Sequence, residues 1–340
     1  MASIAKRPDG RWRARYRDDG GKEHSKHFDR KVDAQRWLDE TTAAVVTGQY
    51  VDPQAGRVTF TAFYKEWRER QVWAPNTRRA MDLAAATTFS NVPLRSLRRS
   101  HIEQWVKEMT RRELAAGTIH TRVNNVRAVL RSAVADRVIP VDPSQGVTLP
   151  RRRRTAAAMT IPTTNQVGAL LEAAEAPFRA FVGLCAFAGL RLGEAAAVQV
   201  GDVDFLRRTL AVRRQVQRQN GGGVDIRMPK YHSERVVYLA PALVAMLAEH
   251  VEQHSPGEDP TRWLFTGQGS KPPHQNTVGH RWRQTLRTAG VGRLRLHDCR
   301  HFYASGLIAA GCDVVTVQRA LGHASATTTL NTYSHLWPTA

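Results

Sequence analysis

The order of apolar and polar positions changes character twice along the chain. From Gly10 to Arg17 it alternates strictly, so an extended backbone puts Trp12, Ala14 and Tyr16 on one face and Arg11, Arg13, Arg15 and Arg17 on the other. Asp18-Asp-Gly-Gly21 supplies a turn, Lys22 to Phe28 supports another short strand, and Asp29 to Leu38 reads as a helix. Residues 1–50 are therefore expected to form a miniature β-sheet closed by a helix. Beyond a turn-rich stretch from Val51 to Arg57 the spacing becomes three and four. It predicts helices over 59–71, 75–88, 99–113 and 116–137. The first carries Phe60, Phe63, Tyr64 and Trp67 in register, and the last Ile119, Val123, Val126, Val129, Leu130 and Val134. Pro140, Pro143 and Pro150 end this helical segment, 57–150, and Arg151, Arg152, Arg153 and Arg154 follow as an unbroken run.

The third segment, 160–340, mixes both periods. Helical spacing covers 165–174 and 178–188, the second almost wholly apolar and so expected to be buried. Alternation then takes over at 209–216, 224–228 and 235–239, around Gly221-Gly-Gly223, and predicts a small antiparallel sheet. Helices resume over 242–253, 276–289, 297–310, 313–321 and 325–336. The fold class is mainly α with small β-sheets, an α+β chain of three domains.

Charge narrows what such a chain can bind. Its 50 Lys and Arg exceed its 30 Asp and Glu, a formal net charge of +20, which favours a polyanionic partner such as nucleic acid or an anionic membrane surface. A membrane partner is not expected, because the longest near-apolar run, Ala180 to Leu190, falls far short of the ~20 residues a spanning helix needs. No apolar stretch precedes the first charges, so no secretory signal is expected. Cys185, Cys299 and Cys312 are odd in number and lack CxxC spacing, which points to neither a disulfide framework nor a zinc site and fits a reducing, cytoplasmic setting. The arginine-faced strand and the Arg151–Arg154 run are read as DNA-facing. The competing interpretations are a solvated sheet edge and a solvated linker.

Four local clusters can carry chemistry. In Ala188-Gly-Leu-Arg-Leu-Gly-Glu194, Arg191 emerges at the end of the buried helix and Glu194 lies three residues on, within reach of its guanidinium. Pro229-Lys-Tyr-His-Ser-Glu-Arg235 is a polar turn between strands with Lys230 near its start. Leu296-His-Asp-Cys-Arg-His-Phe302 places His297 and Arg300 on one helical face, whereas His301 is rotated about 100° from Arg300. The fourth cluster runs from Leu321-Gly-His323 to Tyr333. Each has an ordinary structural explanation when taken alone. Asp202 and Asp204, two apart, read as a helix-ending turn rather than a divalent-metal site.

Taken in order, the four clusters resemble the tyrosine recombinase (phage integrase) family, whose members carry Arg-Lys-His-x-x-Arg-His/Trp-Tyr. The first Arg of that series lies in a Gly-Leu/Met-Arg-x-x-Glu setting, and a Leu-Gly-His segment precedes the Tyr. The resemblance implies that Arg191, Lys230, His297, Arg300, His323 and Tyr333 form the catalytic set, with Tyr333 as nucleophile. Residues 1–50 would be an N-terminal arm-type DNA-binding domain, 57–150 a helical core-binding (SAM-like) domain and 160–340 the mixed α/β catalytic domain. The implied activity is site-specific recombination through a 3′-phosphotyrosyl intermediate, integrating or excising a phage or mobile element with no metal, ATP or other cofactor. Partners implied are double-stranded DNA at core and arm sites, three further copies of the chain in a homotetramer, a DNA-bending host factor and an excision factor. The location implied is the bacterial cytoplasm, at the nucleoid.

The residue types suit that chemistry. A tyrosine with a reference pKa near ~10 is a weak nucleophile until its phenolate is assisted. Charge developing on the non-bridging phosphate oxygens suits two planar guanidiniums, Arg191 and Arg300. Lys230 can protonate a leaving 5′-oxygen, His297 can assist proton removal from Tyr333 or orient the phosphate, and His323 can bond a phosphate oxygen. Glu194 and Asp298 are expected to hold an arginine or histidine in place. Cys299 departs from the leucine usual in the family, and only seven residues follow Tyr333, where relatives often carry a tail that packs on a neighbouring protomer. The alternatives are a Xer-like recombinase resolving chromosome dimers, a catalytically silent DNA-binding regulator, and a type IB topoisomerase.

Overall fold

A computed structural model of the chain describes residues 2–17, 21–47, 50–52, 54–151, 159–219, 223–229 and 233–337. Of the turns expected at 18–21 and 221–223, residues 18–20 and 221–222 lie outside the described residues. The chain divides into two compact units, 1–153 and 154–340.

In the first unit β1 (Ser3–Lys6), β2 (Trp12–Arg17) and β3 (Glu23–Phe28) pair antiparallel in sequence order. Ala14 stands opposite Ile4 on one side and Lys26 on the other. Helix α1 (Lys31–Val46) covers one face, burying Ala14 and Tyr16 against Ala34 and Leu38. Period-two alternation then forces the arginines onto the opposite face. There Arg13 and Arg15 share Glu23 at 3.4 and 3.8 Å, and Arg11 lies 3.3 Å from Asp29. Exposed pairs of this kind contribute only ~0–1 kcal/mol each.

The same unit holds a second, separate core among α2 (Phe60–Glu69), α3 (Pro75–Ala85), α4 (Arg99–Arg111) and α5 (Ala116–Ala135). Thr59 starts α2 by accepting the amide of Ala62, and Pro75 starts α3 at the position where a missing N–H costs nothing. The apolar stripes meet around Phe60, Ile102, Val123 and Leu130, all fully buried. Phe89 lies edge-to-face between Phe60 and Trp105, with ring centroids 5.3 and 5.7 Å away.

The second unit begins with α6 (Thr164–Ala173), where Thr163 and Gln166 cap each other's backbone N–H at 3.2 and 2.9 Å. Then come α7 (Ala176–Phe187), α8 (Leu192–Ala196), β4 (Val203–Asp204), β5 (Thr209–Val212), β6 (Gln215–Arg218), β7 (Val224–Arg227) and β8 (Arg235–Tyr238). Helices α9 (Pro241–His254), α10 (Gln275–Thr288), α11 (Leu296–Ala309), α12 (Val314–Leu321) and α13 (Ala326–Tyr333) follow. The near-apolar α7 is buried, as its composition requires, and packs on α9 and α11. Gly183 permits the approach of α9, since a Cβ there would meet Met246 Sδ at 2.8 Å.

The expected single sheet is two. Strands β4, β5 and β8 form one antiparallel sheet in the order β4-β5-β8, and β6 with β7 forms a separate ribbon. The chain leaves the sheet at Arg213-Arg214, where the Arg214 guanidinium binds the buried Asp202 carboxylate at 2.9 and 3.0 Å. Asp202 also accepts the Gln199 amide at 2.9 Å, so it is tied up in a turn.

Candidate active site

Arg191 follows the glycine that ends α7. Gly189 has φ +64°, and a Cβ there would sit 2.3 Å from the Tyr303 ring, so only glycine turns the chain here. Arg191 then caps α8, whose third residue is Glu194. The Glu194 carboxylate accepts the Arg191 amide at 3.0 Å and its guanidinium at 2.6 Å. It also accepts Arg235 Nη2 at 2.8 Å, from the start of β8. One buried carboxylate thus holds two guanidiniums, one from its own helix start and one from a strand 41 residues away. Helix α8 is itself seated tightly, because a Cβ on Gly193 would lie 2.7 Å from the Val216 carbonyl of β6.

The end of α12 organises the cations. Asp313 caps its start through the amides of Val315 and Thr316, and Gly322 ends it in the left-handed region at φ +62°. Three successive carbonyls are thereby turned outward, and each accepts a different arginine. Arg235 Nε donates to Ala320 O at 2.9 Å, Arg300 Nη2 to Leu321 O at 2.5 Å, and Arg191 Nη2 to Gly322 O at 3.1 Å. The partial negative charge at a helix C-terminus stabilises this convergence of positive charge. Arg300 also donates to Gly189 O, so α11 is fastened to the ends of both α7 and α12. Arg235 Nη1 is buried with no hydrogen-bond partner among the described residues.

Histidines and Tyr333 close the site. Asp298 accepts the Arg295 amide and guanidinium, each at 2.8 Å, and so fixes the start of α11, whose first two turns carry His297, Arg300 and His301. His323 Nδ1 bonds Thr329 Oγ1 at 2.9 Å, and its ring stacks on that of Tyr333 at 6.4 Å and 12°. Tyr333, 1% exposed at the end of α13, places its hydroxyl 2.8 Å from His301 Nδ1.

Electrostatics follow from burial and crowded positive charge. Burial opposes ionisation of Glu194, yet Arg235, with Arg191 and Arg300, brings its pKa down to about 2. Burial, then Arg191, lowers Arg300 to about 9, which leaves it protonated at neutral pH. His297 reaches the surface, but the protein packed behind it, then His301 and the arginines, lower its pKa to about 4. His323 falls to about 4 through burial and the charges of Arg300, Arg191 and Arg235. Burial raises Tyr333, while Arg300 and Arg191 pull it back. The site is therefore a cationic pocket with neutral imidazoles around a protonated phenol, suited to an anion such as a phosphate.

Of the residues singled out in the sequence, Arg191, Glu194, His297, Asp298, Arg300, His323 and Tyr333 converge in the second unit. Asp298 holds Arg295 and the helix start, not His297 or Arg300. The ring that reaches the Tyr333 hydroxyl is His301, not His297. Lys230 lies outside the described residues, as do Arg152, Arg153 and Arg154. Arg151 is exposed, and Arg11, Arg13, Arg15 and Arg17 belong to the first unit. The sequence does not mark Arg235, and it places His301 off the face shared by His297 and Arg300. Arg235 ends the very cluster searched for Lys230, at the start of an alternating strand. His301 gains its place from α13, which brings Tyr333 to a different face of α11.

Comparison with known proteins places the chain among the site-specific recombinases of the tyrosine class. The chain belongs to the phage integrase family, which residues 162–339 match, while residues 2–47 match the N-terminal domain of phage integrases. Among curated relatives, a prophage phiRv2 integrase of Mycobacterium tuberculosis is 25% identical over 96% of this chain and 89% of its own length. A tyrosine recombinase of Pseudothermotoga lettingae is 26% identical over 73% of this chain and 81% of its own. Solved structures share the fold. A Tn1549 transposon integrase in complex with a circular intermediate DNA has a TM-score of 0.71 at 21% identity, covering 83% of this chain and 95% of that one. A lambda integrase tetramer bound to a Holliday junction has a TM-score of 0.62 at 16% identity, covering 98% and 94%.

Proposed function

We propose that Tyr333 attacks a DNA phosphodiester and that this chain integrates or excises a mobile element through a 3′-phosphotyrosyl intermediate. The observation that carries this reading is the convergence of Arg191, Arg300, His323 and Tyr333, from four separate segments, around the carbonyl end of α12. Arg191 and Arg300 retain N–H donors beyond those bound to the protein, and these take the non-bridging oxygens. His323 and His297, neutral at physiological pH, each offer one N–H to the phosphate. Lys230 protonates the 5′-oxygen as it leaves. Because the phosphotyrosyl bond retains the energy of the phosphodiester, a 5′-hydroxyl from another strand rejoins the DNA without ATP or metal.

In this reading residues 160–340 are the catalytic domain, 57–150 grip the core site and 1–50 bind arm sites through Arg11, Arg13, Arg15 and Arg17. The weak exposed ion pairs of Arg11, Arg13 and Arg15 can be exchanged for phosphates. Arg151 to Arg154 track the backbone between domains. Four protomers act on two core sites, in keeping with the lambda integrase tetramer, and an excision factor and DNA-bending host factor set direction. The match of residues 2–47 to the phage integrase N-terminal domain favours a mobile-element integrase over a Xer-like resolvase.

Duplexes tiling the DNA that flanks the gene, nicked next to the candidate cleavage site, test the proposal. The wild-type protein should accumulate a covalent complex on one of them. Tyr333→Phe should bind that duplex with unchanged affinity and form none. A phenylalanine variant that trapped DNA as well as the wild type would overturn the assignment.

A further inference from the structure

The geometry points to His301 Nδ1 as the group that takes the phenolic proton from Tyr333 when its oxygen attacks phosphorus. This rests on Tyr333 being the nucleophile. Tyr333 and His301 are packed together, at 1% and 8% exposure, and the His301 ring is the basic group in direct contact with the phenolic hydroxyl. His301 Nδ1, at 2.8 Å from Tyr333 Oη, is within the range required of a general base. With its ring proton on Nε2, Nδ1 accepts from the Tyr333 hydroxyl.

Neither other histidine is so placed. The Nδ1 of His323 bonds Thr329, and its ring lies nearly parallel to that of Tyr333 with the centroids 6.4 Å apart. His297 meets His301 edge-on at 4.9 Å. The position of His301 follows from the helix: Arg300 is pinned to α12, and the next residue, rotated by about 100°, faces α13. Burial, Arg295 and Arg300 favour the neutral ring, which keeps a lone pair available at neutral pH, and Asp298 is the neighbouring charge that favours the imidazolium formed in the step.

In cleavage the proton moves from Tyr333 Oη to His301 Nδ1 as the Oη–P bond forms and the P–O5′ bond breaks. The departing 5′-oxygen takes its proton from Lys230. On rejoining, the 5′-hydroxyl returns its proton to Lys230 as the O5′–P bond forms, and His301 gives its proton back to Tyr333 as Oη departs. Atoms and charge balance in both directions without any further reactant.

The test measures the single-turnover rate of covalent-complex formation on a nicked suicide duplex, alongside duplex affinity and thermal melting of each variant. His301→Gln removes the base. His301→Asn sets an amide oxygen near the place of Nδ1, which can hold the Tyr333 hydroxyl without accepting its proton. Both should slow cleavage by ~100-fold or more with unchanged DNA affinity. A 5′-bridging phosphorothioate, whose leaving group needs no proton, should not restore either variant. 3,5-Difluorotyrosine in place of Tyr333, a more acidic phenol, should restore part of the lost rate. Wild-type cleavage by the well-folded His301→Asn variant, rescue by the phosphorothioate, or no gain from the fluorinated phenol would each overturn the role of His301. If His301→Asn cleaves normally while Tyr333→Phe stays inert, only the role of His301 fails. A Tyr333→Phe variant that forms the complex removes the nucleophile itself.

Discussion

At the residue scale the site hinges on Glu194, a single buried anion between two guanidiniums. Removing one partner of a buried, hydrogen-bonded charge cluster leaves the others desolvated and uncompensated, at a typical cost of ~3–5 kcal/mol. Glu194→Ala should therefore lower the unfolding free energy by about that amount in urea titrations, and a change under ~1 kcal/mol would contradict the account. The pair Arg191–Glu194 was legible in the sequence because three residues on one short helix bring the groups together. Arg235 was not, because its partners Glu194 and Ala320 lie 41 and 85 residues away, a proximity that no local period encodes. The role of His301 is hidden for a different reason. A helical wheel shows which side chains share a face, but not that α13 would deliver Tyr333 to another one.

Among elements, α12 shows how a motif's meaning can lie in its backbone. Leu321-Gly322-His323 was visible as a motif, but the roles of the three carbonyls that receive Arg235, Arg300 and Arg191 could not be read from side-chain identity. Gly322 is required on two counts, its φ of +62° and the Arg235 Nη1 atom that would stand 2.8 Å from an added Cβ. The left-handed conformation alone costs a non-glycine residue ~1–2 kcal/mol. Gly322→Ala should thus lower the melting temperature and depress cleavage more than duplex affinity, since it disturbs the arginine cluster and leaves the first unit intact. Equal losses in cleavage and affinity would contradict that placement. The strands of this unit were legible one by one from their alternation. Their division into a three-stranded sheet and a ribbon was not, because it lies in which strands pair, β5 with β8 and β6 with β7, and alternation within a strand does not encode its partner.

Over the whole molecule, the net charge of +20 resolves into distinct populations. Arg191, Arg235 and Arg300 are committed to one site in the second unit, whereas Arg11, Arg13, Arg15 and Arg17 line an exposed sheet face in the first. The alternation at 10–17 made that face legible directly, because a period of two leaves no other arrangement once one side is buried. If those four arginines grip phosphates, replacing all of them by glutamine should reduce the slope of log affinity against log salt by up to ~3–4 on arm-containing duplexes. Cleavage of a core-only duplex should be preserved. An unchanged slope would assign the face to solvent.

The central claim is that Tyr333 becomes covalently joined to DNA. The most direct measurement traps the complex on a suicide duplex, digests it with nuclease and trypsin, and sequences the modified peptide by mass spectrometry. A nucleotide 3′-phosphate on Tyr333, within the peptide that begins at Ala320, is the predicted result. A nucleotide on any other residue, or a 5′-linkage, would contradict it.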